Sequence, residues 1–166
     1  MGERGERPSG REETEGERLD RNLGELLQEL RVALPGVQVL FAFLLAVPFQ
    51  QRFAGITEFQ KDVYFATLML TALSAVLLMA PTAYHRMTFR RQQKDHLVFL
   101  ANRLTIAGLA ILALAMTGAI VLVTDFLFST AATLVTAGVA VLVFVLLWFA
   151  LPLKRRAGSA EPEQDR

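Results

Sequence analysis

Cysteine is absent from the 166-residue chain, and histidine occurs only twice. The first absence excludes disulfides, thiol nucleophiles and thiolate metal sites. His85 and His96 are too far apart in the sequence, with only Asp95 beside them, to form a metal site. The chain also lacks a phosphate-binding glycine loop, a zinc-protease helix motif and a nucleophile elbow. We therefore expect no enzyme activity, no cofactor and no bound metal.

Charge is missing from four long stretches. Each has 18 or more residues without Asp, Glu, Lys, Arg or His, and they cover residues 32–49, 63–80, 104–124 and 131–151. A bilayer core about 30 Å thick needs a helix of roughly 20 mostly apolar residues. A chain of this length has too little polar sequence to cover four such helices in water. The sequence predicts an all-α membrane four-helix bundle.

Basic residues are distributed unevenly over the segments between the four spans. Fourteen lie in the N-terminal segment, in the loop after the second span and at the start of the C-terminal tail, with Arg166 left out. Only Arg52 and Lys61 lie on the other side. Lysine and arginine accumulate on the cytoplasmic side. This distribution predicts that both termini lie in the cytoplasm. Arginine outnumbers lysine fourteen to three, which favours a bacterial protein, so we expect the bacterial inner membrane.

The two ends of the chain are polar and rich in glycine, glutamate and arginine. Residues 1–19 and 158–166 cannot bury enough apolar surface to offset the entropy of ordering, which predicts disordered cytoplasmic tails. The membrane domain is expected to occupy residues 20–157. No feature of the chain indicates binding to nucleic acid.

Ahead of the first span, leucines recur at helical spacing, at positions 23, 26, 27, 30 and 34. This stripe predicts a short amphipathic helix on the cytoplasmic membrane surface or against the bundle. A cytoplasmic extension of the first span is the alternative. Pro35 and Gly36 follow the stripe, and because proline removes a backbone donor they are the candidate hinge.

Polar side chains inside the predicted spans are few. They are Gln38 in the first span and Thr67, Thr71 and Ser74 on one face of the second. Such groups can line a polar path through a membrane, or they can form hydrogen bonds that hold helices together. The sequence leaves both possibilities open and favours helix packing.

A basic cluster precedes the third span, comprising Arg86, Arg90, Arg91, Lys94 and Arg103. It can bind anionic lipid headgroups, or it can pair with Glu25 and Glu29 of the N-terminal helix. A third possibility is that it only determines topology. Membrane lipids are thus expected partners.

The segments ELRVALPGVQVLFAFLLAVPFQQRF, YFATLMLTALSAVLLMAPTAYHR and ANRLTIAG resemble an uncharacterised family of small bacterial membrane proteins. The resemblance covers roughly residues 22–125 and implies a domain of unknown function. Some members carry the label sodium:proton antiporter. Proton coupling generally uses an ionisable group within the membrane, and the four spans contain none.

Two functions are compatible with the sequence. The first is a non-catalytic membrane protein, structural or accessory, that self-associates or holds a membrane-protein partner. The second is a small oligomeric channel or transporter for cations or protons, with a path lined by Gln38, Thr67, Thr71 and Ser74. The first is favoured because the spans lack charge.

Overall fold

A computed structural model describes residues 15–88, 94–151 and 154. Throughout these residues the long elements are helices and no strand occurs. The helices are α1 (Glu15–Ala46), α2 (Glu58–Thr88), α3 (Lys94–Leu127) and α4 (Thr130–Phe144), the last continued by a π-helix over Val145–Ala150. Two short 3₁₀ helices, Val47–Phe49 and Gln51–Gly55, connect α1 to α2. The predicted all-α fold is confirmed.

Four helical stretches are long and apolar enough to cross a membrane, and they indicate a membrane protein. They cover Arg21–Phe49, Glu58–Tyr84, Phe99–Leu127 and Thr130–Ala150. The four charge-free segments of the sequence fall inside these stretches to within one residue. The helices are longer than the charge-free segments because the helical backbone continues through the polar and charged residues at the ends of each segment.

The core joins three of the four helices. Leu30 and Val37 of α1, Leu78 of α2 and Leu112 of α3 form one buried cluster. The buried residues of α1 recur every seventh position, at Leu23, Leu30, Val37 and Leu44. Seven residues in two turns is the repeat of left-handed coiled-coil packing. α1, α2 and α3 therefore pack as a three-helix unit.

The fourth helix is peripheral. α4 packs against α3 and against no other long helix in the described part of the chain. Only Phe128 and Ser129 separate α3 from α4. The four-helix bundle thus consists of the α1–α3 unit with α4 attached to the outside of α3.

The N-terminal amphipathic segment is not a separate helix. α1 runs without interruption from Glu15 to Ala46, with Pro35 inside it. The leucine stripe lies against the protein, since Leu23 packs with Ala101 and Leu30 belongs to the core cluster. The expectation of a distinct surface helix was wrong, and the alternative of an extended first span is what the structure has.

Most of the two predicted tails lies outside the described residues, which begin at Glu15 and end at 154. Residues 15–19, placed in the N-terminal tail from composition, are helical as the first turns of α1. The reason is that residues 15–34 contain no proline. Once the packed leucines have formed helix, each residue added toward the N-terminus gains a backbone hydrogen bond without a further nucleation cost.

Candidate functional site

Three hydroxyl residues of α2 are buried in the bundle. Thr67, Thr71 and Ser74 are 1%, 0% and 0% exposed, so these side chains are fully enclosed by protein. The Thr67 hydroxyl donates to the Val63 carbonyl at 2.6 Å and the Thr71 hydroxyl to the Thr67 carbonyl at 2.8 Å. Such bonds to the preceding turn satisfy a hydroxyl without any outside partner.

Ser74 is bonded differently. Its hydroxyl crosses to α3 and donates to the carbonyl of Gly108 at 2.9 Å. This bond links two helices inside a region where water cannot compete for either group. Ser74 therefore ties α2 to α3 directly, whereas the two threonines are bonded within α2.

Two glycines of α3 allow the helices to approach closely. A Cβ atom on Gly118 would overlap the Thr67 hydroxyl, and one on Gly108 would lie 2.8 Å from Leu78 Cγ. Small residues at these points let helix backbones come together, as in many membrane helix pairs. We call Thr67, Thr71, Ser74, Gly108 and Gly118 the α2–α3 interface. It is a packed surface, and the sequence analysis identified its α2 residues as a shared face.

Gln38 does not join the hydroxyl residues. Val37 is buried at 1% exposed, and the next residue, turned about 100° around the helix, faces the exposed side of α1. The path of Gln38, Thr67, Thr71 and Ser74 is therefore not assembled within one chain. The sequence could not foresee this, because a single polar residue in a uniformly apolar helix carries no information about which face is buried.

The candidate hinge lies on the exposed surface of α1. Pro35 and Gly36 are both exposed, and the helix continues through them. Proline leaves the carbonyl four residues before it, that of Arg31, without its usual amide donor. Arg31 is itself exposed, so this carbonyl lies on the side away from the core.

The basic cluster is described only in part. Arg86 is exposed, and the Arg103 guanidinium lies over the Phe99 ring, 5.2 Å from its centroid. Arg90 and Arg91 lie outside the described residues, and of Lys94 only the backbone is described, as the first residue of α3. Lipid binding by this cluster stays a prediction.

The acidic residues proposed as its partners are exposed on α1. Glu25 has a partner in its own helix, Arg21, at 3.9 Å. Glu29 is exposed one turn further along. Pairing of Glu25 or Glu29 with Arg90 or Arg91 involves residues outside the described part.

At the opposite end of the bundle, one side chain joins two helices. Gln60 accepts a hydrogen bond from the Thr57 amide (3.1 Å), and its own amide donates to the Thr57 hydroxyl (3.2 Å). This reciprocal pair is a capping box that starts α2. The side-chain amide of Gln60 also donates to the Asp125 carboxylate near the end of α3, at 3.0 Å. The Thr57-x-x-Gln60 spacing could have identified the cap from sequence, but not Asp125 as a further partner.

A cavity of about 550 Å³ lies beside this contact. Its walls come from the end of α1, the 3₁₀ connection, the start of α2 and the end of α3. The lining residues are Phe43, Val47, Gln50, Gln51, Arg52, Phe53, Ile56, Gln60, Leu122, Val123, Phe126 and Leu127. The sequence analysis did not find the cavity because its lining residues are as many as 84 positions apart in the chain, from Phe43 to Leu127.

No group of three or more potential metal ligands occurs within the described ranges. Lys61 donates to Glu58 at 2.6 Å, so one of the acids at this end is already neutralised by a base. Thr67, Thr71 and Ser74 are thus engaged in helix packing, and Gln60 in capping and in the contact with Asp125.

Comparison with known proteins identifies one family and nothing more specific. Residues 12–152 match the Family of unknown function (DUF6328). No curated protein and no solved structure matches the chain. The matched segment takes in the whole of α1 to α4, and the predicted resemblance to an uncharacterised family is confirmed. The chain belongs to the DUF6328 family.

Proposed function

We propose that this protein is a non-catalytic, multi-pass protein of the bacterial cytoplasmic membrane with a structural or accessory role. It acts by associating with a second copy or with another membrane protein. The observation that carries the proposal is the burial of Thr67, Thr71 and Ser74 at 1% exposed or less, each bonded to a backbone carbonyl. These three hydroxyl groups serve helix packing.

The chemistry of the spans supports the same proposal. Their charge-free segments contain no carboxylate, imidazole, ammonium or guanidinium group. Proton-coupled transport and intramembrane acid–base catalysis generally use such a group. The channel alternative lacks such a group in the spans. Because Thr67, Thr71 and Ser74 are buried, it would also need an ion path lined by other residues.

The free face of α4 supports association. Among the long helices of the described residues α4 packs only on α3, and its other side is open, with Leu134 69% and Val135 67% exposed. A Cβ atom on Gly138, on the same side, would meet no other atom within 4 Å. Apolar surface alone does not drive helices together in lipid. Close packing of two helix backbones does favour association, and a glycine permits it.

The orientation follows from the basic residues. With both termini inside, Arg86 and Arg103 lie at the cytoplasmic side, and the connection holding Gln51 and Arg52 lies outside. This assignment obeys the rule that arginine and lysine accumulate in short cytoplasmic segments.

The association is tested by measuring oligomeric mass in detergent and by cross-linking in native membranes. We expect an oligomer that Gly138→Ile reduces to monomer, because a branched side chain keeps the α4 faces apart. Gly24→Ile is the matched control, since a Cβ on Gly24 also meets nothing within 4 Å. A protein that is monomeric and retains no membrane-protein partner on gentle extraction contradicts the proposal.

Ion flux tests the alternative. Purified protein in liposomes is expected to pass cations and protons no faster than protein-free liposomes. Robust flux that Gln38→Leu abolishes would establish a conducting path and overturn the proposed role.

A further inference from the structure

The cavity at the end of the bundle has the composition of a site for an amphipathic molecule. Most of its walls are apolar side chains, among them Phe43 and Val47 of the first spanning stretch and Leu122, Val123 and Phe126 of α3. Its volume of about 550 Å³ lies within the roughly 300–1,000 Å³ of typical ligand pockets. An apolar cavity beside a bilayer accepts a hydrocarbon chain.

The polar lining residues are grouped along the chain. Gln50, Gln51 and Arg52 follow Phe49, where the first spanning stretch ends, and Gln60 lies in the first turn of α2. These residues therefore lie at the level where a spanning helix gives way to the headgroup region. A molecule in the cavity would meet apolar side chains along its tail and amide or guanidinium groups at its head.

Arg52 is the one positive charge in the lining. It forms no ion pair with any residue in the described ranges, whereas nearby Lys61 is held by Glu58 at 2.6 Å. The nearest acid of α3, Asp125, accepts from Gln60 and is not among the lining residues. A guanidinium binds phosphate oxygens with two parallel hydrogen bonds.

From these observations we propose that the cavity binds one anionic phospholipid, with an acyl chain against Phe43, Val123 and Phe126 and the phosphate on Arg52. The site is distinct from the basic cluster at the other end of the bundle. The proposal requires only that the chain spans a bilayer, and it is independent of the proposed association through α4.

Fluorescence quenching by brominated lipids tests it directly. The chain has a single tryptophan, Trp148, in the π-helical end of the fourth spanning stretch. In a Trp148→Phe background, Phe126→Trp places a reporter in the cavity wall, and Phe43→Trp provides a second reporter from α1. Vesicles carry brominated phosphatidylglycerol or brominated phosphatidylcholine in otherwise identical mixtures.

We expect phosphatidylglycerol to bind beside the reporter about fivefold more tightly than phosphatidylcholine. This is the factor that one basic group near a membrane surface supplies. Arg52→Gln should remove the preference and Arg52→Lys should keep most of it. Lys61→Gln, which alters a paired lysine at the same end, should leave it unchanged.

Equal quenching by the two lipids at both reporters would overturn the proposal. So would a preference that survives Arg52→Gln, or one that Lys61→Gln removes equally, because the selectivity would then come from general charge at this end. Arg52 is exposed, so its substitution leaves the core intact and keeps both outcomes interpretable.

Discussion

The three buried hydroxyl groups of α2 are bonded in two ways, within their own helix and between helices. Thr67 and Thr71 bond to the preceding turn, while Ser74 reaches Gly108 of α3. Hydrogen bonds between membrane helices contribute about 0.6 kcal/mol on average. The hydroxyls therefore contribute modestly to stability, and their small size matters as much, because it lets α3 approach.

Gly118 is the residue at which this close approach is most sensitive. In Gly118→Ala the new methyl group would overlap the Thr67 hydroxyl and lie 3.3 Å from its Cβ. Thr67 cannot turn away easily, because it is β-branched and 1% exposed. We expect a loss of about 1–3 kcal/mol of stability, typical of overpacking, measured by thermal unfolding in detergent.

Gly24→Ala, in α1, is the matched control for that substitution. It makes the same change in a helix where the added Cβ meets nothing within 4 Å. Alanine is the better helix former by about 1 kcal/mol, so this variant should be as stable as the parent or more so. Equal changes in unfolding temperature for the two variants would show that Gly118 is not packed closely against Thr67.

At the scale of elements, the start of α2 and the end of α3 are joined by one polar contact. Gln60 is 8% exposed and bonds both to Thr57, at the start of α2, and to Asp125 of α3. A side chain that caps one helix and holds another couples the two helix ends. We expect this end of the bundle to open as a unit when the contact is lost.

A double-mutant cycle measures that coupling. Gln60→Ala and Asp125→Ala should each destabilise the protein, and the double variant should lose less than the sum. Coupling energies of contacting residues run about 0.5–3 kcal/mol. Hydrogen exchange should rise at both helix ends in each single variant.

The exposed pair of Lys61 and Glu58 is the control for the cycle. Its side chains are 50% and 85% exposed, and helix pairs three or four residues apart contribute about 0.2–0.5 kcal/mol. Additive effects at Gln60 and Asp125, no larger than those of Lys61→Ala, would show that the contact does not couple the helices.

The helices were predictable from the sequence, but most of their buried faces were not. Four charge-free segments identified four helices, because a bilayer requires long apolar stretches whatever their partners. The same uniform hydrophobicity conceals which face is buried: Val37 is buried and Gln38 exposed, yet nothing in LPGVQVL distinguishes their faces. The hydroxyl face of α2 was predictable because Thr67, Thr71 and Ser74 share it.

The contacts between helices could not be predicted, because each joins residues that are distant along the chain. The leucine stripe showed where α1 turns its apolar side, but not that α3 supplies Ala101 to meet it. Gly118 against Thr67 and Gln60 against Asp125 are likewise matches between helices. Such contacts follow from helix register, which no local pattern in one sequence specifies.

At the scale of the molecule, the bundle is asymmetric. α1, α2 and α3 share one core, while α4 packs against only one of the other long helices in the described residues, α3. The short connection of Phe128 and Ser129 requires α4 to run back alongside α3. A helix held on one side only leaves its other side for lipid or for a partner, and α4 is the element on which we expect association to depend.

The lack of cysteine makes the orientation straightforward to measure. Single substitutions Gln51→Cys and Arg86→Cys place one thiol at each end of the bundle in an otherwise thiol-free chain. In intact cells we expect an impermeant thiol reagent to label Gln51→Cys, and to label Arg86→Cys only after the membrane is opened. The reverse pattern would place both termini outside.

The central claim is that the hydroxyl residues of α2 form a helix interface and not a water-filled path. Thiol labelling of Thr71→Cys in membranes tests it most directly, since Thr71 is 0% exposed and lies midway along α2. We predict no labelling by a water-soluble reagent under conditions that fully modify Gln51→Cys. Labelling of Thr71→Cys at a rate approaching that of Gln51→Cys would mean that water reaches the middle of the bundle, and would contradict the account.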